Sequence, residues 1–136
     1  MKHFYHLIFV LLVCVLLAAC GGQPAAVEKV SPSKLEPIEG SDLSRVILTE
    51  KAAERIGVET TSVSGATVPY AAVIYDIEGH TWVYNSPEPL TFVRVPIQIE
   101  EINGDTVMLS QGLGSAMNIV TVGVAEIYGA ETGVSK

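Results

Sequence analysis

The chain has few of the residue types on which reactive sites are built. Of its 136 residues two are cysteine, Cys14 and Cys20, and both fall within the first 20 positions. Beyond them no thiol remains for a disulfide, a thiolate zinc site or a cysteine nucleophile. Histidine is as scarce: His3 and His6 sit at the extreme start, and His80 is alone in the rest of the sequence. A multi-histidine metal site and a histidine-based catalytic triad therefore lack their parts. Positive charge is also short, with 8 Lys and Arg against 15 Asp and Glu and a net charge of -7. Nucleic-acid binding, which depends on neutralising phosphates with Lys and Arg, is excluded on that ground. The same charge discourages lying flat on an anionic membrane surface. Finally, the longest apolar run, Leu7 to Ala19, falls short of the roughly 20 residues needed to span a bilayer.

That run does suit the apolar core of an export signal, about 7 to 15 residues long. It ends at Leu17-Ala18-Ala19-Cys20-Gly21, which resembles the bacterial lipobox, an aliphatic residue and two small ones before a Cys. Residues 1–19 are thus expected to be a cleaved signal peptide, with Cys20 lipidated on sulfur as the new amino terminus. A diacyl group of this kind gives stable anchoring, which a single chain does not. Loss of Lys2 with the signal moves the net charge from -7 to -8.

Residues 20–44 read as the lipidated Cys followed by a flexible tether, because Gly21-Gly22, Pro24, Pro32, Pro37 and Gly40 interrupt any apolar period. A folded domain is expected over 45–130, about 85 residues and enough for one modest core, with 131–136 as a tail. Within it, Thr49 stands at an N-cap before Glu50 to Ile56, and Gly57 stands at the terminator position, which predicts a short helix. From Val58 the period is two. Strands are expected over 45–48, ahead of the helix, and over 58–63, 66–75, 81–84, 92–100, 105–110 and 118–124, with turns at Ser64-Gly65, Asp76 to Gly79 and Asn103-Gly104, a Gly-rich loop over 111–115, and a frayed end from Gly129. Pro87 and Pro89 are expected to interrupt pairing. The fold class that follows is mainly β, a small antiparallel β-roll or barrel with one short α-helix.

Few motifs invite chemistry. Asp76-Ile77-Glu78-Gly79-His80 could form a cation-binding turn but reads better as an acidic hairpin closure with His80 exposed. Glu100-Glu101 are adjacent strand residues that point to opposite faces. Gly112-Leu113-Gly114 lacks the spacing of a phosphate-binding loop. No catalytic residue, metal ligand or cofactor is assigned. Trp82 and Arg94 are the candidates for a protein contact, Arg94 because it faces away from the stripe Val93, Val95, Ile97, Ile99.

Residues Val46 to Thr60 are similar to the segment preceding the lipoyl-like part of the periplasmic adaptor proteins, or membrane fusion proteins, of RND-type efflux pumps. Val68 to Asp76, Thr81 to Tyr84, Pro89 to Arg94, Gly104-Asp105 and Val120 to Gly123 resemble the membrane-proximal region of the same family, in the same order. The family's lipoyl-like, hairpin and barrel domains would fall between these segments. Here only Ser64-Gly65-Ala66-Thr67 joins Val63 to Val68, so the contact with an outer-membrane channel made by the hairpin is not implied. The resemblance implies a non-enzymatic lipoprotein, anchored to the cell membrane or outer membrane, that contacts an RND-type transporter or a full-length adaptor. The alternatives are an extracytoplasmic module for a small ligand or metal cation, and a degenerate adaptor remnant.

Overall fold

The computed structural model describes residues 31–133. The expected signal peptide, Cys20, the first part of the tether and residues 134–136 lie outside the described residues. In chain order the elements are β1 (Ser33–Pro37), β2 (Ser44–Leu48), α1 (Glu50–Ile56), β3 (Glu59–Pro69), a 3-10 turn (Tyr70–Ala72), β4 (Ile74–Tyr75), β5 (Thr81–Glu88), β6 (Thr91–Ile97), β7 (Ile99–Asn103), β8 (Thr106–Val122) and α2 (Val124–Thr132).

The strands form one antiparallel sheet in the order β1-β2-β6-β5-β8-β3, with β4 added to β5 and β7 to β8. The protein is mainly β, as its period-two pattern predicts. The sheet is not closed, however: β1 and β3 are its two ends, so it is not a barrel.

Central strands are buried on both faces. Val83 and Tyr84 are consecutive in β5 and both fully buried, as are Ile119 and Val120 in β8. Consecutive strand residues point to opposite faces, so these pairs serve two cores. One gathers Val46, Leu48, Tyr84, Phe92 and Val120 beneath the helices, which contribute Ala52, Val124 and Ile127. The other gathers Val63, Val68, Val83, Ile97, Val107, Leu109 and Ile119.

Helix α1 follows its local signals closely. The Thr49 hydroxyl accepts from the Ala52 amide at 3.2 Å, and Gly57 closes the helix at φ 72°, donating to the Ala53 and Glu54 carbonyls. That satisfies end groups which seven residues alone could not keep ordered.

Several expectations are corrected. The tether does not run to residue 44, because Ser33–Pro37 pairs antiparallel with Ser44–Leu48 as β1. Ser64-Gly65 is no turn, and the Gly-rich loop over 111–115 is no loop. β3 and β8 run straight through, absorbing the extra residues as register shifts on either side of Gly65. There the backbones touch: a Cβ on Gly112 would lie 3.1 Å from the Gly65 carbonyl carbon and oxygen. Pro87 does interrupt the β5–β6 pairing as expected, at a register shift between Asn85 and Glu88, and pairing resumes at Glu88–Thr91. The β7–β8 turn places Gly104 and Asp105 at its centre, between the paired Asn103 and Thr106, and Gly104 has the positive φ there, 57°. Glycine at the first central position is the type II′ pattern, not the type I′ expected of Asn103-Gly104. Last, the chain does not fray at Gly129 or end its domain at 130, since α2 continues to Thr132 and Ile127 is fully buried.

Gly123 joins β8 to α2 at φ 86°, and a Cβ there would come within 2.5 Å of Ile56 Cγ2 and 3.2 Å of Val58 Cγ2. Gly133 has a similar φ, 75°, with open space around it. In the full chain, Gly133→Ala should lower unfolding free energy by about 1 kcal/mol through conformation alone. Gly123→Ala adds a steric clash and should cost about 3 kcal/mol. Urea denaturation monitored by circular dichroism measures both, and equal losses would contradict the packing of α1 against residue 123.

Candidate functional site

The residue types able to do chemistry converge on one band across β4, β5, β6 and α2. Arg94 lies on β6 opposite Tyr84 of β5, and Trp82 is paired with Pro96 two residues along. Because Arg94 shares its face with Phe92, it points into the helix-covered core, where its side chain is 13% exposed. Its Nε lies 2.9 Å from Glu131 Oε2, a carboxylate only 5% exposed. That contact is an ion pair whose N–H direction falls short of a hydrogen bond. The guanidinium also lies 4.8 Å from the Trp82 ring centre and 5.6 Å from that of Tyr128, so two aromatic faces flank it. The Tyr84 hydroxyl donates to the same Glu131 oxygen. Burial, then the hydrogen bond from this phenol to Glu131 and the charge of that carboxylate, push the phenol well above its ordinary 10.

Trp82 links this cluster to the β4–β5 turn by donating its indole N–H to Asp76 Oδ2 at 2.9 Å. Asp76 Oδ1 accepts the backbone amides of Glu78 at 3.0 Å and His80 at 2.8 Å, and His80 Nδ1 lies 3.1 Å from Oδ2. Burial opposes the charge on Asp76. The hydrogen bonds from Trp82, His80 and Glu78 outweigh it and hold the carboxyl at about 2, below its ordinary 3.8.

Asp76, Glu78 and His80 also bring one potential ligand atom each to within 4.8 Å of one another, as the sequence suggested they could. Asp76 spends its oxygens inside the turn, so its carboxylate acts first as the turn's organiser. His80 is exposed, as expected. Glu100 and Glu101 are both exposed, and Glu100 falls at a bulge with no register partner. Beside this band a groove of about 790 Å³ runs between the Trp82 and His80 side of β5, the Pro96 side of β6 and Leu113 and Met117 of β8.

The two residues expected to form a protein contact are therefore brought together, but inside the molecule. Arg94 does not face solvent, because α2 covers the side of β6 that alternation alone assigns to water. Sequence reasoning missed Glu131, which it left in a tail. The available signal was the spacing Val124, Ile127, Tyr128, Glu131, which puts three apolar residues and one acid on a single helix face. Cys20 lies outside the described residues.

No protein-family model matches the chain, and neither the comparison with curated proteins nor that with solved structures finds a match.

Removing one partner of a nearly buried ion pair leaves the other uncompensated. Arg94→Ala should therefore destabilise the full chain by about 3 kcal/mol, as should Glu131→Ala. The double variant should lose clearly less than the sum of the two, which a double-mutant cycle by urea denaturation measures; simple additivity would refute the pairing. A second test uses pH. A folded-state value of about 2 for Asp76, below the unfolded one, means that its stabilisation is present above pH 3.8 and drains away as the pH falls from there through 2. Trp82 is the only tryptophan, so its fluorescence should titrate in that window, and Asp76→Asn should abolish the transition while flattening the acid limb of stability.

Proposed function

We propose that the protein is a non-enzymatic, membrane-anchored lipoprotein that serves as an accessory or adaptor-like component of an RND-type transport system and acts through protein contacts. The observation that carries this reading is a sequence one. Segments resembling the membrane-proximal region of periplasmic adaptors, from Val46-Ile47-Leu48 to Val120-Thr121-Val122-Gly123, follow one another in order behind a lipobox ending at Cys20. In this reading the lipid holds the β module beside a membrane, facing the periplasm in a two-membrane bacterium, and a transporter or full-length adaptor is its partner.

The character of the described residues supports it. The ionisable groups with the strongest mutual contacts, Arg94, Glu131 and Tyr84, hold α2 on the sheet, which is the work of a scaffold. The resemblance concerns the part of an adaptor that meets the transporter, and the loss of the hairpin leaves that contact as the one still to be made.

The test is site-specific photocrosslinking of the intact protein in its native membranes, followed by mass spectrometry. Capture of an RND-type transporter or of a full-length adaptor is the expected result. Cys20→Ala should release the protein from the membrane fraction and abolish that capture. Failure of the anchored protein to capture either partner from any of several surface positions sinks the proposal.

A further inference from the structure

The two ends of the open sheet are built differently. β1 has the features by which natural edge strands avoid pairing with strangers: it is five residues long and carries Lys34, Glu36 and Pro37. β3 at the other end is eleven residues long, and between Glu59 and Pro69 it contains no charge and no proline. Its neighbour β8 is uncharged over its whole length, Thr106–Val122. In sequence terms no Asp, Glu, Lys or Arg occurs from Thr60 to Tyr75 or from Thr106 to Ala125. A chain with 15 acidic residues thus carries, on its two longest strands, no charge but Glu59 at the start of β3, and those strands lie side by side at the sheet's end. Thr60, Thr61 and Ser62 are exposed, and among the described residues β3 pairs only with β8, on one of its two sides.

The geometry points to β3 as a self-pairing edge, at which a second copy of this chain adds its own β3 antiparallel. A second copy is the occupant that the charge distribution selects. At a net charge of -7 two copies repel one another wherever their carboxylates meet, and the charge-free edge is where their backbones can approach without that opposition. The register of β3 shifts on either side of Gly65, whose φ is 87°, so the regular segment available for pairing is Thr60–Ser64. A two-fold axis through Ser62 then sets Thr60 against Ser64 of the second copy and Thr61 against Val63, cross-strand pairs rich in β-branched side chains. In that register the two Glu59 residues are six steps apart, roughly 20 Å at 3.3 Å per residue. Two like charges at that spacing are screened, since the Debye length in physiological salt is about 8 Å. The pairing is independent of any transporter-side partner.

The experiment uses the full-length lipoprotein, in membranes and after detergent extraction. Ser62→Cys puts a thiol on the axis, and it should give a disulfide-linked dimer under mild oxidation, at least ten times the yield of exposed Ser41→Cys on the other side of the sheet. By analytical ultracentrifugation the extracted parent protein should be a dimer. Thr61→Lys, which brings like charges together across the axis, should convert it to a monomer without lowering the melting temperature by more than about 2 °C. Lys at an exposed strand site can itself weaken the fold, so Thr61→Val serves as the second variant and should retain the dimer. A monomeric parent, equal crosslinking at positions 62 and 41, a dimer indifferent to Thr61→Lys, or crosslinking of position 62 to a different protein in place of itself would each overturn the assignment.

Discussion

An arginine on the inward side of a central strand has to be neutralised where it stands, and much of this molecule is arranged around that requirement. Arg94 meets Glu131 at 2.9 Å between the rings of Trp82 and Tyr128, with Tyr84 donating to the same carboxylate. The residues involved come from β5, β6 and α2, so neutralising one charge fixes how the last helix lies over the sheet. Apolar packing by Val124 and Ile127 supplies the adhesion, which is not directional. The ion pair supplies direction: a rotation of α2 about its axis would strand two charges in a poorly solvated place. Trp82 then passes the order on to the Asp76 turn, whose carboxylate organises the backbone of residues 76–80.

Such an arrangement explains which parts of the structure are legible in the sequence. Helix α1 is, because Thr49 and Gly57 are local devices whose action ends within a few residues. So are the stripe on β6 and the reversal near Gly104, since alternation and positive φ are local as well. The roles of Gly65, Gly112 and Gly114 are not legible. A glycine signals a need for conformational freedom or close approach, and at 65 and 112 what it permits is contact between two backbones distant in sequence. Alternation could sort β6 into two faces but could not tell that both are covered, because the cover comes from residues 124–132. β1 was hidden by Pro32, Pro37 and Gly40, which punctuate its ends without entering its paired interior. The lipid attachment at Cys20 and the adaptor reading rest on sequence alone.

The distribution of charge divides the molecule further. Acidic residues crowd the turns and the short strands, while β3 and β8 are neutral from end to end apart from Glu59. Negative charge keeps copies of a protein apart in solution, and a neutral stripe marks where that repulsion is lifted. The same acidity is what makes the lone inward arginine so easy to satisfy from the chain's own stock of carboxylates.

The position of α2 in the chain has a consequence for synthesis. A polypeptide made from its amino end can pair β1 with β2 early, but β2 must wait for Thr91 and Phe92 to join the sheet, and the helix-covered core must wait for residues beyond 123. Until Val124 and Ile127 have emerged, Tyr84, Phe92 and Val120 lack the cover of α2, and until Glu131 has emerged Arg94 lacks its counter-charge. Contacts this distant in sequence are slow to form, so the nascent chain stays unfolded for most of its elongation. A ribosome that stops before codon 124 releases a product that lacks α2 over Tyr84, Phe92 and Val120, leaving the kind of exposed surface by which proteases and chaperones recognise an unfinished protein.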